Sequence, residues 1–187
     1  SDFFAAGHGN GTYLLSGGTL IVQGNENLAN GRDNGGTFIQ SGGAHTVSGT
    51  ERDSGPNGTA SSTYIQSGGT HTIGNFIIGS FYSLFDGNNI NVSYQLSGNG
   101  VLTAGNESEQ FFGSFNQSGG IHTVGSPSTP GTLYIGDSNS NTTRSFTYTL
   151  SGGSFIVNGD AFVSPANSNP ESGILLINGG AMTVTGT

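Results

Sequence analysis

Gly36–Val47 reads GTFIQSGGAHTV, and Ser62–Ile73 reads STYIQSGGTHTI. Each stretch is two short arms of alternating character around a Ser-Gly-Gly bend. Period-two alternation marks a β-strand with one face buried. β-branched and aromatic residues fill the arms, as strands prefer, and a glycine pair permits a bend that side chains would obstruct. The same unit recurs outward in both directions. GTYLLSGGTLIV starts at Gly11, SYQLSGNGVLTA at Ser93, SFNQSGGIHTV at Ser114, FTYTLSGGSFIV at Phe146 and SGILLINGGAMTV at Ser172.

Taking the residue before each glycine pair as zero gives Ser16, Ser41, Ser67, Ser97, Ser118, Ser151 and Asn178. The spacings are 25, 26, 30, 21, 33 and 27, with a mean of 162/6 = 27. Self-similarity at such a period signals a solenoid or array. Three before zero stand Tyr13, Phe38, Tyr64, Tyr94, Phe115, Tyr148 and Leu175; six after stand Val22, Val47, Ile73, Thr103, Val124, Val157 and Val184. These are the candidate core rows. A third apolar patch follows at Leu28, Phe76–Ile78, Phe111-Phe112, Leu133–Ile135 and Phe162-Val163, and the second copy has none. The reading is an all-β, right-handed parallel β-solenoid (a β-helix). It spans residues 1–187 as one domain, with about seven coils of ~27 residues and three short strands per coil. Identical residue types then stack on one another about 4.8 Å apart, and loops of unequal length bulge outward. Seven antiparallel hairpins are the alternative, with each Gly-Gly as a two-residue turn.

Two positions change together. Position −1 reads Leu15, Gln40, Gln66, Leu96, Gln117, Leu150 and Ile177. Position +4 reads Leu20, His45, His71, Val101, His122, Phe155 and Met182. Each Gln copy has a His, and each aliphatic copy has an apolar partner. A direct Gln–His hydrogen bond would spare the ~1–3 kcal/mol cost of an unpaired buried polar group. Gln40, His45, Gln66, His71, Gln117 and His122 therefore read as a structural ladder. A metal at His45 and His71 is set aside, because no third ligand stands in the arms.

Charged residues make up 7% of the chain, and the net charge is −8 with three Arg and no Lys. That balance argues against nucleic acid, whose binding rests on Lys and Arg, and against insertion into an anionic membrane surface. All eleven acids and all three Arg lie outside the arms and read as solvated loop charges. Asp33 with Glu51 and Asp53, or Glu107 with Glu109, would be the carboxylate pairs of a glycosidase. Asp137–Asn141 has the alternating oxygens that open a calcium loop but no downstream Glu at the right distance. The expectation is no enzyme and no cofactor.

The alternating Leu-type and Gln-type copies, with LYIGD at Leu133–Asp137 and FIIGS at Phe76–Ser80, resemble the repeats of bacterial β-helical surface proteins. These include autotransporter passenger regions and secreted adhesins. The resemblance covers nearly the whole chain. It implies an extracellular or cell-surface location and carries over no catalytic residue. The chain opens at Ser1 without a basic, apolar leader, so a secretion signal, if there was one, is expected to have been removed already. No capping helix is evident at either end, so the chain reads either as a piece of a longer solenoid or as one whose ends pair head to tail with further copies, and the second is the expectation. Phe3, Phe4, Met182 and Val184 are the candidate polymerisation residues. The functional expectation is a subunit of an extracellular filament or matrix. The alternative is an adhesin or carbohydrate-binding module that uses loop residues Phe81, Tyr82 and Phe85.

Overall fold

The computed structural model describes residues 3–4, 10–29, 35–53, 61–79, 91–110, 113–136, 145–163 and 172–186, with backbone alone at 3, 4 and 172. Strand β1 (Phe3–Phe4) precedes coil 1, which holds β2 (Gly11–Leu15), β3 (Thr19–Val22) and β4 (Glu26–Asn27). Coil 2 holds β5 (Gly36–Gln40) and β6 (Ala44–Arg52), coil 3 holds β7 (Ser62–Gln66) and β8 (Thr70–Ile78), and coil 4 holds β9 (Val92–Leu96) and β10 (Val101–Glu109). Coil 5 holds β11 (Gly113–Gln117), β12 (Ile121–Val124) and β13 (Gly131–Ile135). Coil 6 holds β14 (Ser145–Leu150), β15 (Ser154–Val157) and β16 (Gly159–Val163), and coil 7 holds β17 (Ser172–Ile177) and β18 (Ala181–Val184).

Like strands of successive coils pair in parallel. One sheet runs β17-β14-β11-β9-β7-β5-β2, and the other carries every second and third strand. Phe38 lies opposite Tyr64, and His45 opposite His71. The two arms of a Ser-Gly-Gly unit belong to different sheets, so the hairpin alternative is excluded. The chain is a parallel β-solenoid. The three-strand expectation needs one amendment. In coils 2, 3 and 4 the second and third strands run together as one nine-residue strand.

Both glycines of the bend are needed, for different reasons. The second one, as at Gly69, sits at φ +75°, where side chains are strained. The first, as at Gly42, brings its α-carbon against the coil below: a Cβ there would lie 2.5 Å from the Ser16 carbonyl oxygen.

The −3 row holds as expected: Phe38, Tyr64, Tyr94, Phe115 and Tyr148 are fully buried and stack ring on ring, with centroids 4.6–4.9 Å apart for the successive pairs Phe38–Tyr64, Tyr64–Tyr94, Tyr94–Phe115 and Phe115–Tyr148. Coil 4 departs from the sequence alignment. Leu102 pairs with His71, and Ala104 with Ile73, because Asn99 makes its bend one residue longer. Thr103, assigned to a core row, and Val101, expected as the apolar partner of Leu96, are therefore only half-buried, and Leu102 and Ala104 fill the core. The third strand of coil 4 is Asn106–Glu109 at the end of β10. Phe111-Phe112, expected as the apolar patch of this coil, lie outside the described residues.

Candidate functional site

The third strands hold what the sequence reading missed. Glu26, Glu51, Asp53, Glu107 and Glu109 are all buried in the core, at 0–1% exposure. The expectation that these acids are solvated loop charges is overturned. Coil 2 shows no apolar third patch because Glu51 and Asp53 take its inward positions. In the stacked register Glu26, Glu51, Phe76, Glu107, Leu133 and Ala161 form one row.

The acids meet the histidines across coils. His45 Nε2 lies 2.8 Å from Glu26 Oε2, and His71 Nε2 lies 2.7 Å from Glu51 Oε2. His122 Nε2 approaches Glu107 Oε2 to 2.7 Å, without hydrogen-bond alignment. Each His is thus served by the Glu of the coil before it.

On the other side each His reaches the coil after it. His45 Nδ1 is 3.1 Å from the Tyr64 hydroxyl, His71 Nδ1 is 3.1 Å from Tyr94, and His122 Nδ1 is 3.0 Å from Tyr148. Each of those hydroxyls donates to a glutamine: Tyr64 to Gln40 Oε1 at 2.9 Å, Tyr94 to Gln66 at 2.7 Å and Tyr148 to Gln117 at 2.8 Å. The expected direct Gln–His bond is therefore replaced by a relay through a tyrosine of the next coil. The glutamines are anchored in turn, with Nε2 donating to the carbonyls of Thr70, Val101 and Ser154 at 2.9–3.0 Å.

The unit is a tetrad spread over three coils: Glu in one, Gln and His in the next, Tyr in the third. Sequence obeys it without exception. The coils after the Gln/His copies carry Tyr64, Tyr94 and Tyr148 at the −3 position, and those after Leu15, Leu96 and Leu150 carry Phe38, Phe115 and Leu175. The coils before Leu102, Phe155 and Met182 carry Phe76, Leu133 and Ala161 in place of Glu.

The anchors set the polarity of the relay. A backbone carbonyl accepts from glutamine Nε2, so glutamine Oε1 must accept from tyrosine. The tyrosine's one hydrogen is then committed, and histidine Nδ1 must carry a hydrogen to donate to it. One further proton lies in each of the two hydrogen-bonded contacts, His45 Nε2 with Glu26 and His71 Nε2 with Glu51. For His71 and Glu51 the environment assigns it. Burial first, then Glu26 and Asp53, raises Glu51 well above the usual carboxylate range. Burial first, then His45, pushes His71 well below the usual imidazole range. The pair is neutral, with the proton on Glu51. Burial likewise raises the three tyrosines, which stay protonated.

Asp53 and Glu109 have no histidine of their own; no oxygen of Asp53 has a hydrogen-bond partner, and the Glu109 carboxyl meets that of Glu107. Burial raises both well above the usual carboxylate range. Glu26 and Glu107 add to this at Asp53, and Glu107 adds to it at Glu109. Glu51 with Asp53 and Glu107 with Glu109 do form acid pairs, but both are sealed in the core and cannot flank a substrate. Asp33, the Asp137–Asn141 run, Phe81, Tyr82 and Phe85 lie outside the described residues.

The outer surface of the third strands carries a shallow groove of about 480 Å³, lined in part by Thr50, Asn75, Ile77, Asn106 and Tyr134. Beside it the exposed rings of Tyr134 and Phe162 stack 5.1 Å apart. At coil 7 the core rows are open. Ile177 and Val184 are 53% and 40% exposed and Met182 is half-buried, whereas Leu150, Val157 and Phe155, their equivalents in coil 6, are fully buried. Phe3 and Phe4 lie at the opposite end of the sheet, beside Glu26 and Asn27.

No family model, no curated protein and no solved structure matches the chain.

Proposed function

We propose that the chain is a rigid structural rod of an exported surface assembly, extended when a second copy stacks on the open face of coil 7. The observation that carries this reading is the incompletely covered core row of coil 7, with Ile177 and Val184 exposed and Leu175 and Met182 half-buried, which is apolar and already in strand conformation. Adding strands to such an edge gives parallel backbone pairing along the axis. A heterologous contact of this kind propagates instead of closing. Coil 1 is also of the apolar class, with Leu15 and Leu20 at the matching positions. Its Tyr13 would lie over Ile177 and Met182, where internal junctions of this class carry Phe or Leu. The junction is therefore weaker than an internal one, and assembly is concentration-dependent. The export expectation rests on the resemblance to β-helical surface proteins.

Negative-stain electron microscopy with sedimentation velocity tests the reading. Fibres with an axial repeat of about 34 Å are expected, from seven coils of about 4.8 Å. Ile177→Lys with Val184→Lys should abolish them. A monomer at millimolar concentration would refute assembly.

The stacked Tyr134 and Phe162 favour a second reading, in which the third face binds a polysaccharide against flat aromatic rings. A glycan array with Tyr134→Ala and Phe162→Ala variants tests it; binding that survives both substitutions excludes this face.

A further inference from the structure

Coils 2 and 3 are the one place among the described residues where two tetrads adjoin. The His45 and His71 rings stack with centroids 4.4 Å apart. Ligand atoms of His45, Glu51 and His71 all lie within 4.8 Å of one another, and Glu26 Oε2 is 2.8 Å from His45 Nε2. All four residues are fully buried, and Glu26 Oε1 and Glu51 Oε1 have no hydrogen-bond partner.

We propose that Glu26, His45, Glu51 and His71 form an internal site for one divalent transition-metal ion of the zinc type. Two imidazole nitrogens and two carboxylates are a set that suits four-coordinate Zn²⁺. Two features prepare it. The tyrosine relay keeps hydrogen on Nδ1 of both histidines, which leaves Nε2 as the ligand nitrogen. Tyr64 and Tyr94 then accept from the far side of each ring, the outer-shell support that metal-bound histidine ordinarily has. Bonds of about 2.0–2.1 Å place tetrahedral ligands about 3.3 Å apart, so ligand atoms now within 4.8 Å of one another must draw closer, and the two stacked rings must tilt towards each other to aim both Nε2 atoms at one ion.

Coil 5 is a built-in control. Its His122 stands between Leu102 and Phe155 in the row, and a lone His–Glu pair lacks the second imidazole.

The experiment uses the full chain without a histidine tag, refolded from denaturant with Zn²⁺, with Co²⁺ or with chelator, and then gel-filtered. Elemental analysis should find one zinc per chain. The cobalt form should show the visible d–d absorption of a four-coordinate site. The set Glu51→Phe, Gln66→Leu, His71→Leu and Tyr94→Phe copies the apolar residues of coil 4 and its neighbours, so it preserves packing while removing half the ligands. It should abolish both signals. The corresponding coil 5 set, Glu107→Leu, Gln117→Leu, His122→Phe and Tyr148→Leu, should leave both intact. No retained metal in the parent chain, or equal retention in the coil 3 set, overturns the proposal.

Discussion

Removing one oxygen tests the tetrad. Tyr94→Phe deletes a hydroxyl that accepts from His71 Nδ1 at 3.1 Å and donates to Gln66 Oε1 at 2.7 Å. The ring itself is retained, and its stacking on Tyr64 at 4.6 Å and on Phe115 at 4.9 Å needs no change. The loss is therefore one buried donor and one buried acceptor left without partners. At about 1–3 kcal/mol for each, the cost is about 2–6 kcal/mol. Urea unfolding should show a lower midpoint at unchanged m. With m of about 1–3 kcal/mol/M, the midpoint falls by roughly 1 M or more. Replacing the whole tetrad with the coil 4 set (Glu51→Phe, Gln66→Leu, His71→Leu, Tyr94→Phe) should recover most of the loss, since buried ionisable pairs are often replaced by apolar groups at no net cost. The opposite change, Phe115→Tyr, places a hydroxyl against Leu96 and Leu102 and should cost about 1–3 kcal/mol. A Tyr94→Phe effect below about 0.5 kcal/mol, or a full set less stable than the single variant, would falsify the relay.

Glu109 gives the pH dependence. Burial, then Glu107, raises its carboxyl in the folded chain, so the folded state holds a proton that the unfolded state loses above about pH 4.5. Stability from this group is present below that pH and is lost as pH rises towards the folded value, by up to about 1.4 kcal/mol per pH unit. Glu109→Gln should remove that slope and raise the thermal midpoint at pH 7 relative to pH 4.5; an unchanged slope refutes the assignment. Gly69→Ala should cost more than Gly18→Ala in the same urea assay. Both sit at φ near +75°, which alone costs about 1–2 kcal/mol. Only at Gly69 would a Cβ meet backbone, the Gly43 carbonyl oxygen at 2.4 Å. Equal costs would mean that the coils separate locally to admit the methyl group.

The fold was legible because the arms repeat their alternation at every Ser-Gly-Gly. The linked change of Gln and His showed that positions −1 and +4 are neighbours. Their connection was not legible within one copy, because its middle member is Tyr64, Tyr94 or Tyr148 of the next coil and its far member is Glu26, Glu51 or Glu107 of the coil before. Spacings of 21 to 33 residues hide such pairs from any fixed offset. Comparing each copy with its successor finds them, since Tyr follows Gln and Phe or Leu follows Leu. The buried acids were misread for a physical reason. Position outside a repeated arm suggests solvent, but third strands without apolar residues, such as Asn106–Glu109, still alternate, and the inward residues happen to be acids. Asn99 shifted the alignment of coil 4 because one added residue in a bend leaves both strands intact and only moves their numbering.

The tetrads explain how near-identical coils find their correct neighbours. The −3, +4 and third-strand rows would accept many apolar pairings of similar volume, and coils 1, 4, 6 and 7 show that this solenoid can be built without the polar set. Suppose coil 5 docked on coil 3 with coil 4 looped out. Phe115 would then cover Gln66 and His71, leaving Gln66 Oε1 and His71 Nδ1 without a hydroxyl. His122 would face Phe76 in place of Glu107. Two buried polar atoms, Gln66 Oε1 and His71 Nδ1, newly unpaired at about 1–3 kcal/mol each cost about 2–6 kcal/mol, a large share of the roughly 5–15 kcal/mol that holds a whole domain folded. A purely apolar stack has no comparable penalty for the same slip. The Glu–His–Tyr–Gln relay therefore contributes less by strengthening the correct stack than by penalising the wrong ones, and its order along the chain (apolar, polar, polar, apolar, polar, apolar, apolar) is aperiodic, so a slip of one coil brings unlike classes together.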